Sequence, residues 1–365
     1  IPLPLGGGLG RGSGQNKSFP RVPLTSDAHQ LHTDDCKLKT PLLIAIMGPT
    51  ASGKSAVAEA IADRLSLQLV NADAFLVYRG LDIGTNKPTN KEDYELIDLV
   101  GPDEEFGVGE WVRRAVGVLE RVWSETSPLA SRSGHLGPPA CAHPANGATA
   151  REPRRGAVVV GGTGLYVRAL FEEYKDLMPA PDPALRERLE DRERTEGLPA
   201  LAEELSRAAP EIAQATDLSN PVRVRRALER LADPRPPIEF ALPPFQKAKF
   251  VLDPPKDALD DAISRRVDAM FAAGWEAEVQ GLLSRGLDRT APGFRAIGYE
   301  CVIDRLEGRI SEEEARLRTV AQTRQYAKRQ RTWLRSEPRA HVVPIEELGN
   351  TGTTSAVATI MDLFE

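Results

Sequence analysis

The chemistry in this chain gathers first at Gly48, Pro49, Thr50, Ala51, Ser52, Gly53, Lys54 and Ser55, where a glycine, four residues and then Gly-Lys-Ser follow one another. A glycine-rich turn of this kind presents backbone N–H groups to an anion at the positive end of a helix. Lys54 adds a point charge for terminal phosphates, and Ser55 offers a hydroxyl to Mg²⁺. The pattern specifies a polyphosphate, not a reaction. Asp73 closes the next apolar run, Leu67 to Val70 followed by Asn71 and Ala72. A carboxylate there could ligate Mg²⁺ or take a proton from an attacking group. On position alone, a turn or capping role for Asp73 stands beside both. A third apolar run, Ala157 to Val160, ends at Gly161-Gly162-Thr163-Gly164.

A second concentration is charge. Arg316 to Arg335 holds seven Lys or Arg and no Asp or Glu, within a chain of net charge -6. Helical spacing puts Arg324, Lys328, Arg331 and Arg335 on one face, with Tyr326 and Trp333 roughly opposite. Such a stripe beside aromatics suits an RNA or phosphate surface, a solvated helix face being the ordinary alternative. Arg223, Arg225, Arg226 and Arg230 form a smaller cluster, on a segment whose Val224, Ala227, Leu228 and Leu231 have core spacing.

The elements that must position these groups are short apolar strands alternating with amphipathic helices. Pro41 to Ile46 leads into the phosphate loop, and helical spacing then runs through Val57, Ala58, Ile61, Ala62 and Leu65. That alternation predicts a phosphate-loop α/β fold, a parallel sheet flanked by helices with its ligand crevice at the strand ends. Residues 180–242 read as a small inserted all-helical domain broken at Pro210 and Pro221, and Lys249 to Asp253 as a strand rejoining the sheet. The core is then expected over 41–179 and 243–340, with a tail over 341–365. Ser311 and Glu314 make a capping box for a long last helix. Thr126 to Arg155, rich in proline and without core residues, reads as a disordered insertion.

A length of 365 residues suits about two domains. The negative balance excludes a uniformly basic nucleic-acid coat. Cys36, Cys141 and Cys301 lie far apart with no Cys-x-x-Cys pair, which supports neither a disulfide framework nor a zinc finger. No apolar run approaches the roughly 18 residues of a membrane helix, so a soluble intracellular protein without a membrane partner is expected. Residues 1–40 read as a disordered tail or as the remnant of a transit segment, since 1–26 carry Arg11, Lys17 and Arg21 and no acid. A plastid or mitochondrion follows from the second reading, the cytoplasm from the first.

Taken together the motifs resemble the tRNA dimethylallyltransferase (tRNA isopentenyltransferase) family. The likeness runs from about Leu42 to Arg335 and rests on "GPTASGKS" (48–55), "VYRGLDIGTNKP" (77–88), "VVGGTGLYVRAL" (159–170), "NPVRVRRALE" (220–229), "RVDAMFAAGWEAEV" (266–279), "RAIGYE" (295–300) and "TRQYAKRQRTWLR" (323–335). The resemblance implies transfer of a five-carbon allylic group from dimethylallyl diphosphate to N6 of the adenosine beside the anticodon of tRNA. It implies Mg²⁺, the tRNA anticodon stem-loop as partner, and a monomer. Asp73 matches the family's catalytic aspartate and Arg266 its diphosphate-contacting arginine, acting with Lys54 and Ser55. Asp73, Ala74, Phe75, Leu76 and Thr163 fall near the adenosine. Arg186, Val222, Arg223, Val224, Arg225, Arg226, Arg295, Tyr299, Lys328, Arg329, Trp333 and Arg335 fall on tRNA-contacting segments.

This chain departs from the family at Ala74 and Leu76, where a serine and a glutamine are usual, and at Tyr94 and Glu95, where paired histidines precede "LID". These changes bear on adenosine recognition and leave the phosphate loop intact. Three other readings fit parts of the sequence: an adenylate isopentenyltransferase of cytokinin synthesis, a phosphate-loop kinase, and a non-catalytic RNA binder. The basic helix and the helical domain favour tRNA over a free nucleotide. A kinase leaves "GGTGLY" and "RAIGYE" unexplained.

Overall fold

The computed structural model describes residues 40–126, 154–175, 177–178, 182–233 and 235–364. The expected N-terminal tail and nearly all of the proline-rich insertion lie outside them. Met178–Ile238 belongs to one compact unit, and the described residues on either side of it in sequence to another.

The larger unit is built on a sheet of six described strands, β1 (Leu42–Met47), β2 (Gln68–Asn71), β3 (Tyr94–Glu95), β4 (Gly156–Gly161), β5 (Gln246–Asp253) and β6 (Ala340–Pro344). They lie in the order β3-β2-β4-β1-β5-β6, and every pairing is parallel. β1 and β4 are buried along their whole length, so both sheet faces are covered and the strands read as continuous apolar runs. Pairing of Met47 with Gly161 and of Asn71 with Val160 sets the register. The loops after β1, β4 and β2 therefore leave three neighbouring strands side by side.

The helices of this unit are α1 (Lys54–Leu65), α2 (Val108–Thr126), α3 (Gly164–Phe171), then α8 (Lys256–Ala272), α9 (Trp275–Ser284), α10 (Tyr299–Leu306), α11 (Glu312–Leu334) and α12 (Asn350–Met361). Ser311 caps α11, its hydroxyl accepting the Glu314 N–H at 3.1 Å. Of residues 341–365, expected as a tail, 341–344 instead complete β6 and Asn350–Met361 form α12. Ala356, Val357 and Ile360 of α12 join the core that holds Val57, Ala58 and Ile61 of α1. The opening Asn-Thr-Gly-Thr-Thr-Ser has poor helix propensity, so this helix owes its existence to packing, which periodicity does not register.

The smaller unit holds α4 (Pro183–Glu196), α5 (Leu198–Ala208), α6 (Pro210–Ala215) and α7 (Pro221–Ala232). Asp182 and Asn220 cap α4 and α7, each followed by proline at the first helical position. Leu189, Leu201, Leu205, Val224 and Leu228 form its core. Leu231, expected in that core, is 42% exposed, because the apolar stripe of α7 ends one turn earlier.

Candidate active site

Each functional loop starts where a buried strand stops. After β1 the chain reaches Ala51 and Gly53 in left-handed conformations, with φ 62° and 80°. That double reversal folds the phosphate loop over the start of α1. Ala51 also packs against Leu259 and Ile263 of α8 and Ala327 of α11, which buttress the loop from outside.

After β2, Asn71 does the positioning. Its side-chain oxygen accepts the Asp73 N–H at 2.8 Å, while its NH₂ donates to the carbonyls of Asp73 (3.1 Å) and Leu96 (2.9 Å). Trp111 of α2, fully buried, donates its indole N–H to the Asn71 carbonyl at 2.8 Å. Asp73 in turn accepts the Phe75 N–H on Oδ1 at 3.0 Å, and its Oδ2 has no hydrogen-bond partner among the described residues. After β4, Thr163 accepts the Ala74 N–H on its hydroxyl at 3.2 Å, joining the two loops. Asn71 carries no motif of its own, which is why the sequence did not reveal it.

Arg266 of α8 completes the site. Its guanidinium donates to Thr50 Oγ1 at 3.1 Å and to the Thr85 carbonyl at 3.3 Å. Burial lowers its pKa, with the Asp73 carboxylate opposing that change. Burial likewise brings Lys54 down to about 8, Asp73 again opposing and Arg266 adding to the fall. Two desolvated cations thus share Asp73 as a counter-charge, an arrangement that a bound anion would relieve. Ser52 Oγ is buried with no hydrogen-bond partner in the loop, a further polar atom that a phosphate oxygen would satisfy.

The loop bearing Thr85 is fixed by Glu278 of α9. Its carboxylate accepts the N–H groups of Asp82 (2.7 Å), Ile83 (2.6 Å) and Gly84 (3.3 Å) and the Tyr299 hydroxyl (2.7 Å). Replacing Glu278 by alanine strands these donors, so thermal or urea unfolding should show a loss of about 2–4 kcal/mol. Glu278→Gln, which keeps an acceptor, should lose about half as much.

Helix α11 packs against the loops that follow β1 and β4. Tyr326, Gln330 and Trp333 form one inward stripe: the Tyr326 hydroxyl faces Thr163 and Gln330, and Trp333 lies where a Cβ on Gly164 would stand. The expected basic stripe is divided. Arg331 donates to Asp253 at 2.7 Å and Arg324 to Ser264 at 3.1 Å, while Lys328, Arg329 and Arg335 are exposed. Trp333 also carries the Arg168 guanidinium 3.8 Å above its ring.

Two residues expected to contact tRNA do not lie on a surface. Tyr299 is wholly buried among Trp275, Phe294 and Val302, with its hydroxyl on Glu278. Val224 is wholly buried in the core of the helical unit. Aromatic and β-branched types within a basic segment have the composition of a binding surface and the packing of a core, and only tertiary structure separates them. In the same unit Val222 is exposed, Arg223 lies 3.7 Å from Asp217, and Arg186 and Arg226 both pair with the buried Glu229 at 3.1 Å. Arg225 pairs with Glu193. Arg295, in the larger unit, is exposed and pairs with Glu105 at 2.9 Å.

The departures from the family pattern are accommodated locally. Ala74 contributes its N–H to Thr163, and the Leu76 carbonyl accepts the Asp98 N–H at 3.1 Å. Tyr94 donates to Glu59 at 2.7 Å, and Glu95 pairs with Arg121 at 3.0 Å. As for Mg²⁺, no cluster of three His, Cys, Asp or Glu suited to a metal occurs among the described residues. The hydroxyl that the phosphate-loop pattern offers to Mg²⁺, Ser55, is exposed at the start of α1 and faces the Tyr94 hydroxyl, and a hydroxyl donor of this kind suits a hard cation whose other ligands are phosphate oxygens.

Known proteins resemble this chain over most of its length. The IPP transferase family model matches residues 76–129 and 144–337, and the isopentenyl transferase model matches residues 41–96. The tRNA dimethylallyltransferase 1 of Trichlorobacter lovleyi is 37% identical over 331 residues, covering 87% of this chain and 98% of that protein. The tRNA dimethylallyltransferase of Thermus thermophilus is 38% identical over 300 residues, with coverage of 80% and 89%. The crystal structure of the full-length tRNA isopentenylpyrophosphate transferase from Bacillus halodurans superimposes with a TM-score of 0.58 at 30% identity, covering 89% of this chain and 97% of that one. With its phosphate loop, Asp73, Thr163 and Arg266 linked at neighbouring strand ends, the chain belongs to the tRNA dimethylallyltransferase family.

Proposed function

We propose that the chain transfers a dimethylallyl group from dimethylallyl diphosphate to N6 of the adenosine beside the anticodon in tRNA, releasing diphosphate. The observation that carries this reading is the meeting of three loops at neighbouring strand ends: a cationic phosphate cradle after β1, a carboxylate after β2 and a hydroxyl-bearing turn after β4.

The exocyclic amine of adenine is a weak nucleophile. As its nitrogen bonds to the allylic carbon, the proton it sheds passes to Asp73, whose carboxylate is aimed by Asn71 and the Phe75 N–H. The carbon–oxygen bond breaks with its electron pair staying on the diphosphate. Lys54, Arg266 and the loop amides stabilise that developing charge in a desolvated setting, where each such interaction is stronger than in water. Mg²⁺ held through Ser55 would supply further charge neutralisation at the leaving phosphates. Thr163, whose hydroxyl holds Ala74 beside Asp73, is on this reading the contact to the incoming adenosine. The base must leave its stack to reach such a crevice, which calls for extrusion from the anticodon loop. Exposed Lys328, Arg329 and Arg335 on α11 supply a cationic surface for the phosphates of that arm.

Incubating the chain with Mg²⁺, radiolabelled dimethylallyl diphosphate and either unmodified tRNA or AMP tests this, with ATP hydrolysis followed in parallel. Label should enter tRNA. Label confined to AMP would assign the chain to free-nucleotide prenylation, and phosphate release from ATP alone to a kinase-like activity.

A further inference from the structure

Gln330 is a polar residue buried on the inner face of α11, and both ends of its side-chain amide are used. Oε1 accepts the Thr50 N–H of the phosphate loop at 2.8 Å. Nε2 donates to the Gly162 carbonyl of the Gly-Gly-Thr turn at 3.0 Å. One amide thus bridges the loops that follow β1 and β4. The fit is close, since a Cβ on Gly162 would stand 2.2 Å from Nε2. Thr50 is held from its other side as well, by Arg266 on Oγ1. The Gly162 turn continues into Thr163, whose hydroxyl holds Ala74 beside Asp73.

We infer that Gln330 is a positioning residue for the transfer, its amide fixing the separation between the phosphate loop and the Thr163 turn so that electrophile and acceptor amine meet. This rests on the reaction proposed above. A core side chain needed only for packing would be apolar here, as Ala327 and Leu334 are on the same helix face. Gln330 instead bonds to two loops on which substrates would sit, and neither bond belongs to a secondary-structure ladder. Its inward neighbours reinforce the bridge: Tyr326 faces Thr163 one turn before it, and Trp333 covers Gly164 after it.

Two variants separate positioning from packing. Gln330→Met keeps the volume and loses both hydrogen bonds. Gln330→Glu keeps the acceptor for Thr50 but, when ionised, turns a second acceptor towards the Gly162 carbonyl; protonation restores a donor there. Label transfer to tRNA, circular dichroism melting, and calorimetric titration with inorganic diphosphate and Mg²⁺ are measured for both. Gln330→Met should remain folded and lose about tenfold to 100-fold in kcat, with the KM for tRNA within about twofold of the parent. The deficit of Gln330→Glu relative to the parent should shrink as pH is lowered from about 8 to about 6, a trend that lost packing does not produce. Values of kcat within about threefold of the parent for Gln330→Met, or a pH-independent deficit for Gln330→Glu, would overturn the inference. Should Gln330→Met fail to fold, the pH trend of Gln330→Glu decides alone. If the parent chain itself labels no tRNA, the proposed reaction fails. Diphosphate titration then decides the role of Gln330, a loss of about tenfold or more in affinity supporting it and unchanged affinity refuting it.

Discussion

Asp73→Asn is expected to reduce label transfer by about 10³-fold or more while leaving tRNA affinity within about twofold, since a general base contributes of that order. Asparagine is the informative replacement because its side-chain oxygen still accepts the Phe75 N–H, which holds the turn after β2 at 3.0 Å. Asn71 and Trp111 continue to fix the backbone. What is lost is the proton acceptor and one negative charge. That charge opposes the fall in pKa of both Lys54 and Arg266, so its removal leaves the two cations less compensated. Diphosphate affinity should therefore hold or rise in the variant. If Asp73 served chiefly as a ligand of Mg²⁺, diphosphate affinity measured with Mg²⁺ would fall together with turnover. Calorimetry beside the transfer assay distinguishes the two roles, and retained turnover would remove Asp73 from the chemistry altogether.

How much of this was visible in the sequence depends on the range over which each signal acts. Gly48 to Ser55, Asp73 and the turn at Thr163 were legible because each sits directly after a buried apolar run, and register in a parallel sheet brings such ends together. Arg266 came from the family pattern alone, since nothing in its own helix sets it apart from Arg265 beside it. The inner face of α11 was hidden. Its buried positions include Thr319 and Gln330, so apolar periodicity is weak there, and the eye follows the arginines instead. Arg324 and Arg331 proved to have partners on α8 and at the end of β5, which charge spacing along one helix does not disclose. The same holds in the helical unit, where Glu229 takes up two of the arginines that looked like a nucleic-acid surface. Asn71 and Glu278 were missed for a related reason: each acts on backbone groups, and backbone has no sequence signature.

Lys54→Met is expected to lower kcat/KM for dimethylallyl diphosphate by about 10² to 10³-fold, the scale for removing one preorganised donor from a developing anion. The depressed pKa supplies a second, pH-resolved signature. Lys54 titrates near 8 in the folded chain against an ordinary 10.5, chiefly because burial penalises the ammonium. Below about 8 the ammonium is in place; as pH rises through that value the free protein loses the proton, and binding an anion must then draw it back. The parent's kcat/KM should accordingly decline above about pH 8, by up to tenfold per unit, while the methionine variant stays level over that range. Folding stability responds in the opposite direction. Between about 8 and 10.5 the unfolded chain keeps a proton on Lys54 that the folded chain has released, so stability attributable to this residue rises with pH. Urea unfolding of parent and variant should diverge with that sign. A lysine that strengthens anion binding as the pH falls, and costs the apo protein stability over the same range, is the behaviour of a charge held out of water for a ligand. If the parent shows neither trend, the ammonium is solvated in the free protein and the cradle is assembled only when diphosphate arrives.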